Sequence, residues 1–342
     1  MIWVPFELHT HTPHSDGRHS LAEMCREAGR LGLQGIALTD HNTAAGLAEA
    51  EHIQQTTGVA VIPGMEWTTF YGHMLTLGAP YTEWRDLGPR DIHKGIRRVH
   101  EAGGIVGIAH PYTMGSPICT GCHWEYDITD WSDLDYIEVW HGMMPALRPY
   151  NWPALQLWDQ LLNEGHRITA TAGRDWHHSD LLGGAPAFTY IGLEHEEDRF
   201  SREKVVQAIS HGRCYLSVGP RLHVEARLGG RAYFLGDCVD SSSNIGGEMS
   251  LRLQLDSSTA SGNLGERVVV TKLILESNLG EITEIPWRED QSEAEHLVSI
   301  EGLRWLRVKA EGLMESSPIP LAMTNPIYVS SPPVPEPERA AV

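Results

Sequence analysis

Cysteine is scarce in this chain of 342 residues, with five in all. So sparse and odd a set excludes a disulfide-stapled secreted scaffold and fits a reducing compartment. Cys119-Thr-Gly-Cys122-His123 matches the spacing for covalent haem attachment. That chemistry follows export, and the N-terminus lacks a basic stretch leading into an apolar core. Cys25, Cys214 and Cys238 give no second pair at zinc-site spacing, so the Cys119/Cys122 loop has no assigned role beyond packing or a local link. Long apolar runs are missing too, and none approaches a membrane span. Positive charge is short: 26 Lys and Arg face 45 Asp and Glu, a net charge of −19. That balance argues against capture of duplex nucleic acid and against a membrane-surface role. The expectation is a cytoplasmic protein with a small-molecule substrate, its oligomeric state open.

Histidine, by contrast, is plentiful at 19. The apolar stretch Ile2-Trp3-Val4, continued by Phe6-Glu7-Leu8, predicts a strand that delivers His9-Thr10-His11. Imidazoles at i and i+2 then share a face, and Asp16 reaches the same end from the following loop. Four more apolar segments end in similar chemistry: 35–38 before Asp40-His41, 59–65 before Glu66, 104–109 before His110, and 168–173 before Arg174-Asp175-Trp176-His177. His73 opens a further strand over 73–77. One such residue is explained well enough as a buried, hydrogen-bonded histidine or a helix cap. The set is not. Buried strands that repeatedly deliver His, Asp and Glu at their C-terminal ends follow the parallel-barrel rule, which puts the active site on that rim. Imidazole and carboxylate donors without thiolate suit a borderline divalent ion.

The rest of the chain fits alternating strands and helices. Ser20-Leu-Ala-Glu23 predicts a capped helix running to Gly32, and others follow over 43–58, 91–102, 153–163 and from Ser201. Past about residue 218 the pattern changes to short alternating strands separated by turn residues. That predicts an antiparallel sandwich over 219–329, with a Pro-rich disordered tail over 330–342.

His9, His11, Asp16, Asp40-His41, Glu66, His110 and Asp175-Trp-His177 resemble the motifs of the PHP (polymerase and histidinol phosphatase) metallohydrolases over roughly residues 1–218. Pro63-Gly-Met-Glu-Trp67, Ala109-His-Pro111, Ile137-Glu-Val-Trp140 and Thr324-Asn-Pro-Ile-Tyr328 are most similar to the subfamily named for a bacterial carbaryl hydrolase. The resemblance implies an α/β fold with a distorted seven-stranded (β/α) PHP barrel, followed here by the small β-sandwich. It also implies two or three divalent ions, Mn, Zn or Fe. His9, His11, Glu66 and Asp175 would hold one; Glu66, His73 and His110 a second; Asp16, His41 and His177 a third. Such ions lower the pKa of a bridging water, so hydroxide is available at neutral pH.

Three further residues are candidates for supporting chemistry. Asp40 would orient an imidazole, Arg174 would bind an anionic substrate or turn outward to a salt bridge, and His141 would donate a proton or merely be satisfied in place. The leading function is a phosphoesterase acting on a small phosphomonoester or phosphodiester, a nucleotide included. A carbamate, ester or amide hydrolase using the same cluster is the alternative. A non-catalytic, metal-stabilised scaffold is the third reading. Arg or Lys aimed at the ions would favour phosphate, and a Trp- and Met-lined pocket an aryl carbamate; Trp67, Trp140 and Trp176 stand beside candidate ligands.

Overall fold

A computed structural model describes residues 1–114, 123–178, 184–241, 247–256 and 265–330. The Cys119/Cys122 loop lies outside the described residues. The first half alternates as β1 (Ile2–Glu7), α1 (Leu21–Arg30), β2 (Gly35–Leu38), α2 (Ala50–Thr57), β3 (Ala60–Thr69) and β4 (Gly72–Leu77). It continues with α3 (Ile92–Glu101), β5 (Ile105–Ile108), β6 (Tyr136–His141), α4 (Asn151–Glu164), β7 (Thr169–Gly173), β8 (Phe188–Leu193), α5 (Arg202–Ser210) and β9 (Cys214–Ser217). Helix α1 starts where it does because Ser20 and Glu23 cap each other reciprocally. Its Leu21, Met24, Cys25 and Ala28 then face the sheet. The helix expected from residue 43 is shorter: 45–49 form a tight 3-10 turn, and α2 ends on Gly58 with φ of 72°.

The sheet is mixed, not uniformly parallel. Strands β1, β2 and β3 run parallel, as do β5, β6 and β7, but β4 is antiparallel to both of its neighbours. β8 lies antiparallel to β1, and β9 to β8. The expected barrel does not close as a ladder, because no strand pairing joins β7 to β8. The antiparallel β4 and β8 also depart from the all-parallel strand order of the expected barrel. The gap is stitched instead by Thr189, whose Oγ1 accepts from the Ala172 N–H and donates to the Ala172 carbonyl, both at 2.9 Å. A single bridge between Thr10 and Trp176 ties β1 to the end of β7 at the rim.

The second half adds β10 (Arg221–Leu228), β11 (Arg231–Tyr233), β12 (Cys238–Asp240), β13 (Glu248–Asp256) and β14 (Val268–Ser277). After them come β15 (Gly280–Pro286), β16 (Glu293–Ser299), β17 (Trp305–Met314), β18 (Ser317–Thr324) and β19 (Ile327–Ser330). β11, β10, β13 and β16 form a separate four-stranded antiparallel sheet. It buries every second residue, Leu222, Val224 and Ala226 among them. The remaining strands extend the first sheet through the β9–β18 ladder, so one sheet runs through both halves. Asn325 knits the junction: its side chain accepts from Ala170 N–H at 2.7 Å and donates to the Ala170 and Cys214 carbonyls at 3.0 Å. Ser330 closes β19, and the rest of the expected tail lies outside the described residues.

Candidate metal centre

The strands deliver their polar ends to one place. His9 and His11 follow β1, Asp40 and His41 follow β2, and Glu66 lies within β3. His110 follows β5, His141 ends β6, and Asp175 and His177 follow β7. β4 runs the other way, so it contributes from its beginning, with His73 paired opposite Thr68.

Glu66, with no solvent exposure, is the hub. Its Oε2 lies 3.1 Å from His9 Nε2, 3.3 Å from His11 Nε2 and 2.9 Å from His41 Nδ1. Its Oε1 lies 2.7 Å from His73 Nδ1 and 3.3 Å from His110 Nε2. Asp175 Oδ1 approaches His9 Nε2 at 3.2 Å and His11 Nε2 at 2.9 Å. Asp16 Oδ1 lies 3.0 Å from His177 Nε2 and 3.5 Å from His41 Nε2. His177 is oriented from behind by the Asp175 carbonyl, 2.8 Å from its Nδ1. Asp175 and His110 have φ of 57° and 28°, a backbone region sparse for residues that carry a Cβ. The Asp175 turn is held there by Trp176 N–H donating to the His9 carbonyl and His11 N–H donating to the Trp176 carbonyl.

Charge is concentrated and mutually balanced. Burial alone would raise the Glu66 carboxyl, but His9, His11, His110 and His41 hold it well below the usual carboxylate range. Burial would raise Asp175 as well, and His9 and His11 outweigh it. Burial lowers His11, yet Asp175 and Glu66 more than compensate and hold it near 9. His110 goes the other way, pushed down by burial and by His141.

The donor set fits divalent ions. Among the described residues, candidate ligand atoms fall into four groups, each within 4.8 Å: His9, His11, Glu66 and Asp175; Glu66, His73 and His110; His11, Asp16, His41 and His177; and His9, His110 and His141. Neither nitrogen of the buried His11 ring makes an aligned hydrogen bond, nor does Asp175 Oδ1, although the two side chains are in contact. Atoms aimed at a common centre, not at each other, leave that signature. The first three groups contain the three ligand sets expected from the sequence.

Residues 7–97, which include His9, His11, Asp16, His41, Glu66 and His73, match the PHP domain family. The chain carries a PHP domain. An uncharacterized protein of Methanocaldococcus jannaschii is 29% identical over 148 residues, 40% of this chain and 81% of that protein. A phosphoribosyl 1,2-cyclic phosphate 1,2-diphosphodiesterase of Eggerthella lenta is 33% identical over 64 residues, 19% of this chain and 24% of the relative. A 5'-3' exoribonuclease of Haemophilus influenzae is 39% identical over 64 residues, 19% of this chain and 23% of the relative. The chain therefore spans about a quarter of the length of those two relatives with a named activity. A crystal structure from Bacteroides vulgatus, described as a two-domain protein containing a predicted PHP-like metal-dependent phosphoesterase, superposes over 95% of both chains. Its TM-score is 0.51 at 15% identity, so the two-part fold recurs as a whole.

Two supporting residues do not stand where the sequence suggested. Arg174 is only 7% exposed and neither faces the cavity nor turns outward. Its Nε lies 3.2 Å from Glu7 Oε2, and its guanidinium stacks 3.5 Å from the Trp176 ring centre. Burial pushes Glu7 up to about 7 against the pull of Arg174, and lowers Arg174 to about 10. Glu7 also accepts from the His9 and Arg174 backbone N–H groups, so the pair fastens β1 to the turn carrying Asp175. Among the described residues Asp40 makes no hydrogen bond or ion pair with an imidazole. It accepts from Thr12 N–H, Thr12 Oγ1 and Ser15 Oγ, fixing the loop that leads to Asp16.

A cavity of about 210 Å³ opens beside the cluster. Beyond the candidate ligands its wall is Gly72, Ala109, Thr113, His123 and Trp124. Among the described residues no Arg or Lys lines it, and the segments 115–122 and 179–183 contain none. Trp67, Trp140 and Trp176 are buried in the hydrophobic core instead of facing substrate. A larger cavity of about 290 Å³ beside Trp287 in the second half is remote from the donor cluster.

By sequence Glu138 is a plausible rim residue at the end of the strand over 135–139, but with no part assigned to it. Its carboxylate, 1% exposed, lies 3.0 Å from His9 Nδ1 and 2.7 Å from His141 Nδ1. Burial would raise it, but His9 and His141 bring it down to about 2. A lone acid inside the apolar run 136–140 was the available signal, since a buried carboxylate needs partners. Thr113 left no comparable trace.

Proposed function

We propose that the chain is a metal-dependent hydrolase of the phosphoesterase type, acting on a small phosphomonoester or phosphodiester, with nucleotides among the candidates. One observation carries this reading: a single buried carboxylate, Glu66, meets three imidazoles on one oxygen and two on the other. That suits a ligand shared between two ions, His9, His11 and Asp175 completing one set and His73 and His110 the other. Asp16, His41 and His177 offer a third, more exposed set. Divalent ions held there, whether Mn, Zn or Fe, supply activated water and neutralise developing charge on a substrate oxygen. The protein's own task is then orientation. Glu138 and the Asp175 carbonyl fix ring nitrogens, the Glu7–Arg174 pair holds the Asp175 turn, and Asp40 shapes the loop carrying Asp16.

The cavity wall favours a second reading, kinship with carbaryl hydrolases and cleavage of a carbamate, ester or amide. Without Arg or Lys on the wall, any charge on the substrate beyond what the ions neutralise goes unmet. Among phosphates this favours a singly charged diester over a polyanion. An ion-stabilised scaffold leaves the open cavity beside the donors unexplained.

Residues 1–218 form the catalytic unit in this proposal and 219–329 a buttress. Among the described residues no helix is long and apolar enough to cross a membrane; placement in the cytoplasm rests on the sparse cysteines. Metal analysis followed by a hydrolysis panel tests the function: phosphomonoesters, phosphodiesters, nucleotides and naphthyl carbamate, with added manganese. Metal-stimulated phosphoester turnover is expected. Turnover of the carbamate alone selects the second reading, and no metal uptake with no turnover defeats both.

A further inference from the structure

We infer that His141 is itself a metal ligand, presented to the cluster by Glu138 just as His9 is. The inference rests on the metal-dependent reading above and adds a position to it. Glu138 spans two imidazoles, Oε2 toward His9 Nδ1 at 3.0 Å and Oε1 toward His141 Nδ1 at 2.7 Å. A carboxylate can only accept, so each Nδ1 is the donor and each neutral ring keeps its lone pair on Nε2. For His9 that nitrogen points into the cluster, 3.1 Å from Glu66 and 3.2 Å from Asp175. Carboxylate, imidazole and ion in series is the usual way a protein aims a histidine at a metal. One carboxylate doing this for two rings makes their geometry common.

His141 lies among the same donors. A nitrogen from each of His9, His110 and His141 lies within 4.8 Å of the other two, and the His110 and His141 ring centres are 4.5 Å apart. Its side chain is 9% exposed and borders the same cavity as His73 and His110. A local irregularity in β6 makes this possible. Residues i and i+3 of a regular strand face opposite sides, but the register against β7 slips between Glu138 and Trp140. Such a bulge re-aims the chain, and both Glu138 and His141 turn inward. The competing role, proton donation to a leaving group, requires His141 Nε2 to carry a hydrogen where a ligand carries a lone pair.

The test compares the full-length wild type with His141→Ala, His141→Gln and Glu138→Gln. Each is titrated with Zn²⁺ or Mn²⁺ against a fluorescent chelator, and absorption spectra are recorded with Co²⁺. We expect one ion to bind at least about tenfold more weakly in each variant, within the range found when such supporting groups are lost. The Co²⁺ spectrum should change, and His141→Gly with added imidazole should recover it, which a mere packing defect would not allow. Wild-type affinity and spectrum in His141→Ala, with loss of turnover alone, overturn the inference and leave the metal site standing. A wild-type protein that takes up no ion overturns both.

Discussion

At the scale of single residues, the site depends on charges buried close together. His9, His11 and Glu66 have no solvent exposure, so removing one donor leaves its partners without water to replace it. His11→Ala or Asp175→Ala should therefore lose one ion and at least about 100-fold in turnover, since even supporting groups cost 10–100-fold. Metal content and kcat, with far-UV circular dichroism to confirm the fold, check this; full activity would refute the site. The Glu7–Arg174 pair is a case of stability instead of chemistry. Arg174→Met strands a buried carboxyl and should lower unfolding free energy by about 3–5 kcal/mol in urea titrations.

At the scale of elements, β7 must approach β1 and β6 closely enough for one carboxylate to hold rings from both. Gly173 permits that approach. A Cβ there would sit 2.4 Å from Glu138 Oε2 and 2.7 Å from His9 Cβ. Gly173→Ala should displace Glu138 from His9 and weaken metal binding about 10–100-fold, measured by chelator competition, while the strand itself persists. The loop after β1 behaves differently. Asp16 has a side chain 57% exposed, against none for Glu66. Ions held by Asp16, His41 and His177 should leave first under graded chelation, read as stepwise loss by mass spectrometry or calorimetry. Simultaneous loss of all ions would contradict that order.

At the scale of the molecule, the two halves are joined by more than a shared sheet. Arg307 on β17, its side chain 3% exposed, pairs with Asp159 of α4 and Glu276 of β14 and stacks on Trp158 and Trp305. Burial would raise Glu276, but Arg307 and Lys309 outweigh it and hold its carboxyl below the ordinary value. A carboxyl depressed in the folded state stabilises above its unfolded pKa, and the benefit fades as pH falls through the folded value. Glu276→Gln should thus cost about 1–3 kcal/mol near neutrality and nothing once wild-type Glu276 is protonated. Thermal unfolding of both proteins between pH 7 and pH 2 shows the gap closing; a gap independent of pH would exclude the ion pair as its source.

Several parts were legible from residues alone because they depend on neighbours in sequence. Ser20 and Glu23 lie three apart and cap α1 whatever surrounds them, and His9 and His11 share a face because extended chain alternates. The donors at the ends of apolar strands could likewise be picked out, since burying so many imidazole and carboxyl groups without a purpose is costly. Tertiary structure decided the rest, where distant segments compete for one partner. β4 and β8 run antiparallel and no ladder joins β7 to β8, Arg174 turns to Glu7 instead of the cavity, and a slipped register brings His141 in beside Glu138. Such outcomes depend on which strands become neighbours, and side-chain periodicity along one strand carries no record of that.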